Sequence, residues 1–286
     1  MLRDQSRLPP CPALPEGTSR TERVGGRTVV TKAESRFTRL FYGAYEDPTL
    51  AVLEGLHPAT HALRFGAALE AAVTYDRDRL LAIAERLADD VIDRIDAVLE
   101  VIDHELFTKL SRRTLTSPLL SITARPHQDL DAALAPTGRP VLFLEGPRNP
   151  GNVGAVIRVA AAAGVGAVLV SGTLDPWSPV VLRSGAGLQY AVPTANGPLP
   201  MTTQRPIVTV DLRGEPVASA DLDPDSILVV GGERYGISPQ VREVATRSVS
   251  VPMRPGVASL NLATAVSAVL FSWKAAVAAR TGSDPW

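Results

Sequence analysis

Cysteine is almost missing from this chain: Cys11 is the only one in 286 residues. A single thiol excludes a disulfide framework and a cysteine-rich zinc site, and no metal is expected. Charge of one sign is missing too. The 29 Lys and Arg are balanced by 30 Asp and Glu, so the formal net charge of -1 names no partner. A nucleic-acid binder needs basic residues only on the face that meets phosphate, so this balance does not exclude one. Long hydrophobic runs are also wanting. The longest stretch without a charge or a hydroxyl, Val159 to Val170, has 12 residues, fewer than the roughly 18 needed to cross a bilayer. The N-terminus lacks the apolar segment of a secretion signal, so the cytoplasm is the expected location.

What is present suffices for a real core. The chain is 45% hydrophobic and 21% charged, and its length fits two domains of about 150 residues. Residues 1–40 carry eight basic side chains against four acidic ones among many Pro, Gly, Ser and Thr. That composition predicts a basic, flexible tail, with an arm that helps hold RNA as its functional alternative. Residues 41–125 alternate short apolar runs (50–54, 71–75, 97–101, 119–123) with helical spacings that include Pro58 as a helix start, Leu80 to Leu87 and Leu106 to Leu110. They predict a small α/β unit. Pro126, Pro136, Gly138 and Pro140 mark residues 126–139 as a linker. From residue 140 onward, short and mostly apolar strands at 141–144, 167–170, 207–210, 227–230 and 249–251 are interleaved with helices at 152–163 and 260–279. Such strands belong to a mostly parallel sheet covered on both faces, with ligands at the carboxyl ends.

Three stretches carry chemistry. EGPRNPGNVGAVIRVAAAAGV (145–165) follows a strand and opens a helix; Asn152 is a suitable cap and Gly154 permits close approach. Arg158 stands among Val156, Ile157 and Val159, where it needs an acid, a phosphate or a route to water. ILVVGGERYGISPQVREVA (227–245) runs a strand into Gly231, Gly232 and Glu233, with Ser238 and Pro239 starting a helix. VSVPMRPGVASLNLATAVSAVLF (249–271) leads through Met253 to Ser259, Leu260 and Asn261 at a long helix, whose positive end favours anions. No G-x-G-x-x-G stands at a strand–helix turn, which counts against a nicotinamide-dependent Rossmann oxidoreductase.

In order and spacing, PGNVGAVIR, GGERYG and SVPMRPGVASLNLATAVS resemble the three motifs of the SpoU-type (TrmH-like) RNA 2′-O-ribose methyltransferases of the SPOUT superfamily. LEGLHPATHALRFG (53–66) and DHELFTKLSRRTLTSPLLSI (103–122) resemble more loosely the small substrate-binding domain that precedes that catalytic domain. The resemblance implies a mostly parallel α/β sheet over residues 140–286 with a C-terminal trefoil knot, and a homodimer. It implies S-adenosyl-L-methionine as cofactor, held around Gly231, Gly232, Val251, Met253, Leu260 and Asn261. It also implies methyl transfer to a ribose 2′-hydroxyl of rRNA or, second, tRNA. Asn152, Arg158, Glu233, Ser259 and Asn261 fall on the family's polar active-site positions. The resemblance implies that Arg158 engages the target ribose or its phosphate, with Glu233 as its natural partner. A fold that binds RNA with little or no catalysis is the alternative.

The residue chemistry bears on that assignment. All four histidines (His57, His61, His104, His127) precede residue 140, so no imidazole base is in place. Arginine is almost always protonated, so Arg158 suits a phosphate or a developing alkoxide better than proton abstraction. The second motif departs from the family's usual G-N-E-G-x-G: Gly232 stands for Asn and Arg234 for Gly.

Overall fold

The computed structural model describes residues 32–201 and 203–283; the expected tail over residues 1–31 lies outside the described residues. The first unit runs α1 (Lys32–Glu46), β1 (Leu50–Glu54), α2 (Leu56–Arg64), β2 (Leu69–Thr74), α3 (Arg77–Leu87), α4 (Ile92–Asp96), β3 (Leu99–Val101), α5 (His104–Ser111) and β4 (Leu120–Ala124). Its four strands lie in the order β1-β4-β2-β3, with β4 antiparallel to both neighbours. The tail expectation fails at its end. Helix α1 begins at Lys32 and buries Phe37 and Phe41 against Val52, Val73 and Ile122. Basic composition masked two aromatic anchors spaced one helical turn apart.

The second unit follows as α6 (Leu130–Leu134), β5 (Val141–Glu145), α7 (Pro150–Ala163), β6 (Ala167–Val170), α8 (Pro179–Ser184), β7 (Thr194–Asn196), β8 (Ile207–Pro216), β9 (Ile227–Gly231), α9 (Pro239–Val244), β10 (Arg247–Ser250) and α10 (Leu262–Thr281). Its six strands lie in the order β10-β8-β9-β5-β6-β7, and every pair is parallel. Alternate residues of β5 supply the two faces. Leu142 and Leu144 join the cluster under α7 and α10, whereas Val141 and Phe143 join the opposite cluster with Val241 of α9.

The segment expected as a linker is partly built in. Leu130 and Leu134 of α6 pack on that second cluster. Arg205, only 3% exposed, donates to the carbonyls of Leu134, Ala135, Arg139 and Asp225. A buried guanidinium thus pairs the carbonyls that end α6.

Gly154 decides how α7 meets α8. A Cβ there would stand 2.5 Å from the Val181 carbonyl oxygen, so only glycine lets the two helices touch. Close packing places α8 against the first unit. Trp177 and Leu182 complete a cluster built from Leu53, Leu56, Ala59 and Leu63. Arg183 pairs with the buried Glu54 carboxylate, and His61 Nδ1 donates to the Ala186 carbonyl at 2.7 Å. Burial pushes the Glu54 carboxyl up, outweighing the opposing pull of Arg183.

Helix α10 is long and apolar enough, by length and composition only, to cross a membrane. Counting Thr264, Ser267 and Ser272 as interruptions hid this in the sequence. One face is buried through Val266, Val269, Leu270 and Trp273 against α7, while only a third of the helix is buried in total.

Candidate active site

Strand β5 pairs with β9 from Val141↔Ile227 to Glu145↔Gly231, so the loops that leave these two strands start side by side. Glu145 fastens them together. Its carbonyl accepts Gly232 N–H at 2.8 Å, and its carboxylate accepts Ser238 N–H at 2.9 Å. The third segment must come back from the sheet edge, because β10 lies beyond β8 and α10 packs on α7. Residues 251–261 therefore return toward the first two loops.

The cap of α7 is not Asn152, as the sequence implied, but Asn149. With Pro150 in the first helical turn, the Asn149 side chain accepts Gly151 N–H at 2.9 Å and Asn152 N–H at 3.3 Å. Asn152 is thereby free to point away from its own helix. Its Nδ2 donates to Glu233 Oε1 at 2.7 Å, and its Oδ1 accepts Asn261 Nδ2 at 3.0 Å. Asn261 caps α10 and accepts Ala263 N–H at 3.0 Å and Thr264 N–H at 3.4 Å through Oδ1.

The two ends of this chain fix both amide orientations. Helix N–H groups require Oδ1 of Asn261, which turns its Nδ2 toward Asn152; the Glu233 carboxylate requires Nδ2 of Asn152. Three segments separated by 81 and 109 residues are wired in one polar sense. Glu233 is its terminal acceptor, and Oε2 has only a long contact of 3.5 Å from Arg148 N–H.

Gly231 and Gly232 serve the loop's own closure. A Cβ on Gly231 would lie 2.2 Å from the Gly236 carbonyl carbon, and one on Gly232 would lie 2.5 Å from the Gly146 carbonyl oxygen. The departure at residue 232 has a structural reason: this loop closes more tightly than an asparagine allows. It holds Glu233 in place without the missing amide.

The third segment is open. Val251 and Met253 are half-buried, Ser259 is exposed, and Leu260 and Val257 are 37% and 47% exposed. Within residues 251–260 the only backbone–backbone hydrogen bond among the described residues is Val257 N–H to the Arg254 carbonyl, at 3.1 Å. Unpaired peptide groups beside exposed aliphatic side chains suit a flat, hydrogen-bonding heterocycle with apolar faces, as an adenine has.

Arg158 is not brought into the chain. It lies six residues beyond Asn152, about 120° around the helix and 9 Å along it. It is exposed and makes no hydrogen bond or ion pair with a described residue. The expected pairing with Glu233 is therefore replaced by Asn152. The outward stripe that holds Arg158 consists otherwise of Gly151, Ala155 and Ala162.

Sequence reasoning missed Asn149, Arg148 and Tyr235. Tyr235 is 74% exposed, with the Arg148 and Arg234 guanidinium carbons 5.5 and 5.3 Å from its ring centre. Asn149–Pro150 was a legible cap signal; Arg148 needed the fold to meet a loop 85 residues away.

Residues 139–271 match the model of the SpoU rRNA Methylase family. Over 145 residues the chain is 37% identical to an uncharacterized tRNA/rRNA methyltransferase of Synechocystis sp., covering 48% of this chain but only 53% of that protein. It is 26% identical over 288 residues to the 23S rRNA (uridine(2479)-2′-O)-methyltransferase of Streptomyces viridochromogenes, covering 93% of this chain and 99% of the relative. The crystal structure of the SpoU methyltransferase AviRb from Streptomyces viridochromogenes in complex with AdoMet superposes with a TM-score of 0.69, at 24% identity, over 87% of this chain and 98% of that one. That likeness supports the α/β fold with its parallel sheet.

Proposed function

The chain belongs to the SpoU rRNA methylase family, and from that premise we propose that it transfers a methyl group from S-adenosylmethionine to a ribose 2′-hydroxyl of ribosomal RNA. The observation that carries this reading is the hydrogen-bonded chain Asn261–Asn152–Glu233, which joins the three motif loops at the carboxyl ends of the strands. The relatives named above act on RNA riboses or are methyltransferases of RNA, which supports the substrate class.

S-adenosylmethionine supplies a methyl group already activated by its sulfonium charge, so the protein's task is alignment. Backbone groups of Gly231, Val251 and Leu260 hold the adenine end, with Met253 beside them. Asn152 and Asn261 keep the Glu233 carboxylate and the mouth of α10 in fixed relation. Ser259 offers a free hydroxyl at that mouth. Arg158 binds the target phosphate or the alkoxide that develops as the 2′-hydroxyl loses its proton to water.

Arg158 needs a second copy of the chain to serve this role. Helices α7 and α10 pack on each other, and each leaves small or apolar side chains uncovered or half-covered: Gly151, Ala155 and Ala162 on α7, Ala268, Phe271 and Ala275 on α10. Phe271 is 44% exposed. A homodimer covers these side chains and brings Arg158 to a site shared between subunits. The return of the chain from β10 to α7, with β9 inserted between β5 and β8, supports a C-terminal trefoil knot. The first unit, locked to α8, presents the RNA.

The test is transfer of labelled methyl from S-adenosylmethionine to ribosomal and transfer RNA, followed by alkaline hydrolysis. A 2′-O-methyl blocks cleavage of the next phosphodiester, so label is expected in alkali-resistant dinucleotides of rRNA. Label in a base, or no transfer despite binding of donor and RNA, overturns the reading.

A further inference from the structure

The exposed aromatic at the rim of the site has a use that the methyl-transfer chemistry leaves unassigned. Tyr235 is 74% exposed, yet its turn is firmly held. Gly236 N–H bonds to the Gly232 carbonyl at 3.0 Å, Gly232 N–H to Glu145, and Ser238 N–H to the Glu145 carboxylate. From this closed turn Glu233 faces Asn152, and Tyr235 stands two residues on, within about 7 Å along the backbone. Two exposed guanidiniums flank the ring, one from the same turn and one from the loop after β5. A core residue would not be bare, and the turn that carries this ring is closed by the Gly236–Gly232 bond and anchored to Glu145 through Gly232 and Ser238.

We propose that Tyr235, with Arg148 and Arg234, is a stacking platform for an unpaired RNA base within one nucleotide of the reacting ribose. This deepens the function proposed above and rests on it. An exposed aromatic ring with two guanidiniums within 5.5 Å of its centre matches a ligand with π faces joined by phosphates. The ring takes the base, and the guanidiniums, on long exposed side chains, swing from the ring to the flanking phosphates. Both arginines sit within or beside segments that also hold Glu233, so base capture and ribose placement share one rigid loop pair. Arg234, which departs from the family's glycine, acquires a purpose here: a glycine supplies no cation.

The experiment compares a ten-nucleotide single-stranded RNA of mixed sequence with the same ribose–phosphate chain lacking bases, using the full chain and fluorescence anisotropy. Wild type binds the RNA more tightly than the abasic chain. Tyr235→Ala weakens RNA binding about five- to 150-fold, the range for one lost base stack, and leaves abasic binding unchanged. Tyr235→Phe retains RNA binding, whereas Arg148→Ala and Arg234→Ala weaken both ligands and flatten the salt dependence. S-adenosylhomocysteine titration reports on the donor site and is unchanged in Tyr235→Ala. The proposal is overturned if Tyr235→Ala binds RNA like wild type, or if Tyr235→Phe behaves like Tyr235→Ala. If wild type methylates RNA while Tyr235→Ala is indifferent, only the stacking role fails. If wild type binds base-bearing RNA through Tyr235 but transfers no methyl, the enzymatic reading fails and the platform stands.

Discussion

The junction between the two units and the rim of the candidate site both hold charges, and they treat them oppositely. At the junction Glu54 is 6% exposed and paired with Arg183, over a floor of Leu53, Leu182 and Trp177. At the rim Arg148, Arg158, Glu233 and Arg234 are all exposed. Glu233 is held by an amide rather than a cation, and Arg158 is held by nothing described. A buried charge must be paired or it costs several kcal/mol. An exposed cation that is left unpaired stays available to a ligand. The junction spends its charges on fixing one unit against the other; the rim leaves them open to a ligand.

The largest effect should come from stripping the rim of a charge. Arg158→Ala is expected to lower methyl transfer roughly 10³-fold, as for loss of one group that stabilises developing charge, while the thermal midpoint stays within error. Mixing it with an inactive Glu233→Ala chain should restore part of the activity, because mixed dimers then hold one intact site. No recovery in verified mixed dimers would place Arg158 within its own subunit's site.

Breaking the junction should give the reverse pattern. Leu182→Ala removes a fully buried side chain and should cost about 3 kcal/mol in urea unfolding. Donor binding per folded molecule is expected to persist, since none of the site loops contains residue 182. Equal losses of stability and donor affinity would erase the distinction between the regions.

Gly232→Asn tests the one rim position that behaves like the junction. Restoring the residue usual in the family should not help: its Cβ meets the Gly146 carbonyl oxygen, and the overpacking should cost about 2 kcal/mol. Tighter donor binding with unchanged stability would show that the loop opens without cost.

The smallest effect is in pH dependence. Because burial raises the Glu54 carboxyl above its ordinary 4.5, the folded chain holds that proton more tightly than the unfolded one. Stability should therefore fall as pH rises from 4.5 through the raised value. Glu54→Gln should flatten that slope, measured as unfolding midpoint against pH; an unchanged slope would assign it elsewhere.

Much of this was legible along the chain. Leu142, Leu144, Val168 and Val170 announce strands buried on both faces because no polar residue interrupts them. At the start of the long apolar helix, Ser259 and Asn261 were both suitable caps along the chain, and the structure uses Asn261. Asn152 misled, since a cap is decided by the residue before the first turn, and Pro150 put that turn two residues earlier. Helix α1 was hidden because charge dominates its composition, although two phenylalanines anchor it. Strand β7 and helix α8 were missed because each is short and gains its order from what covers it.

By itself the sequence determined the parallel α/β character, the three motif loops and the chemistry class they resemble, because apolar periodicity and glycine–asparagine turns are local properties. Only the tertiary structure decided that Asn152 bonds Glu233 and Asn261, that Arg158 faces outward, and that Tyr235 stands exposed near two guanidiniums. Those relations join residues up to 109 positions apart. They follow from strand order and helix packing, which place loops together without leaving a mark at either position in the chain.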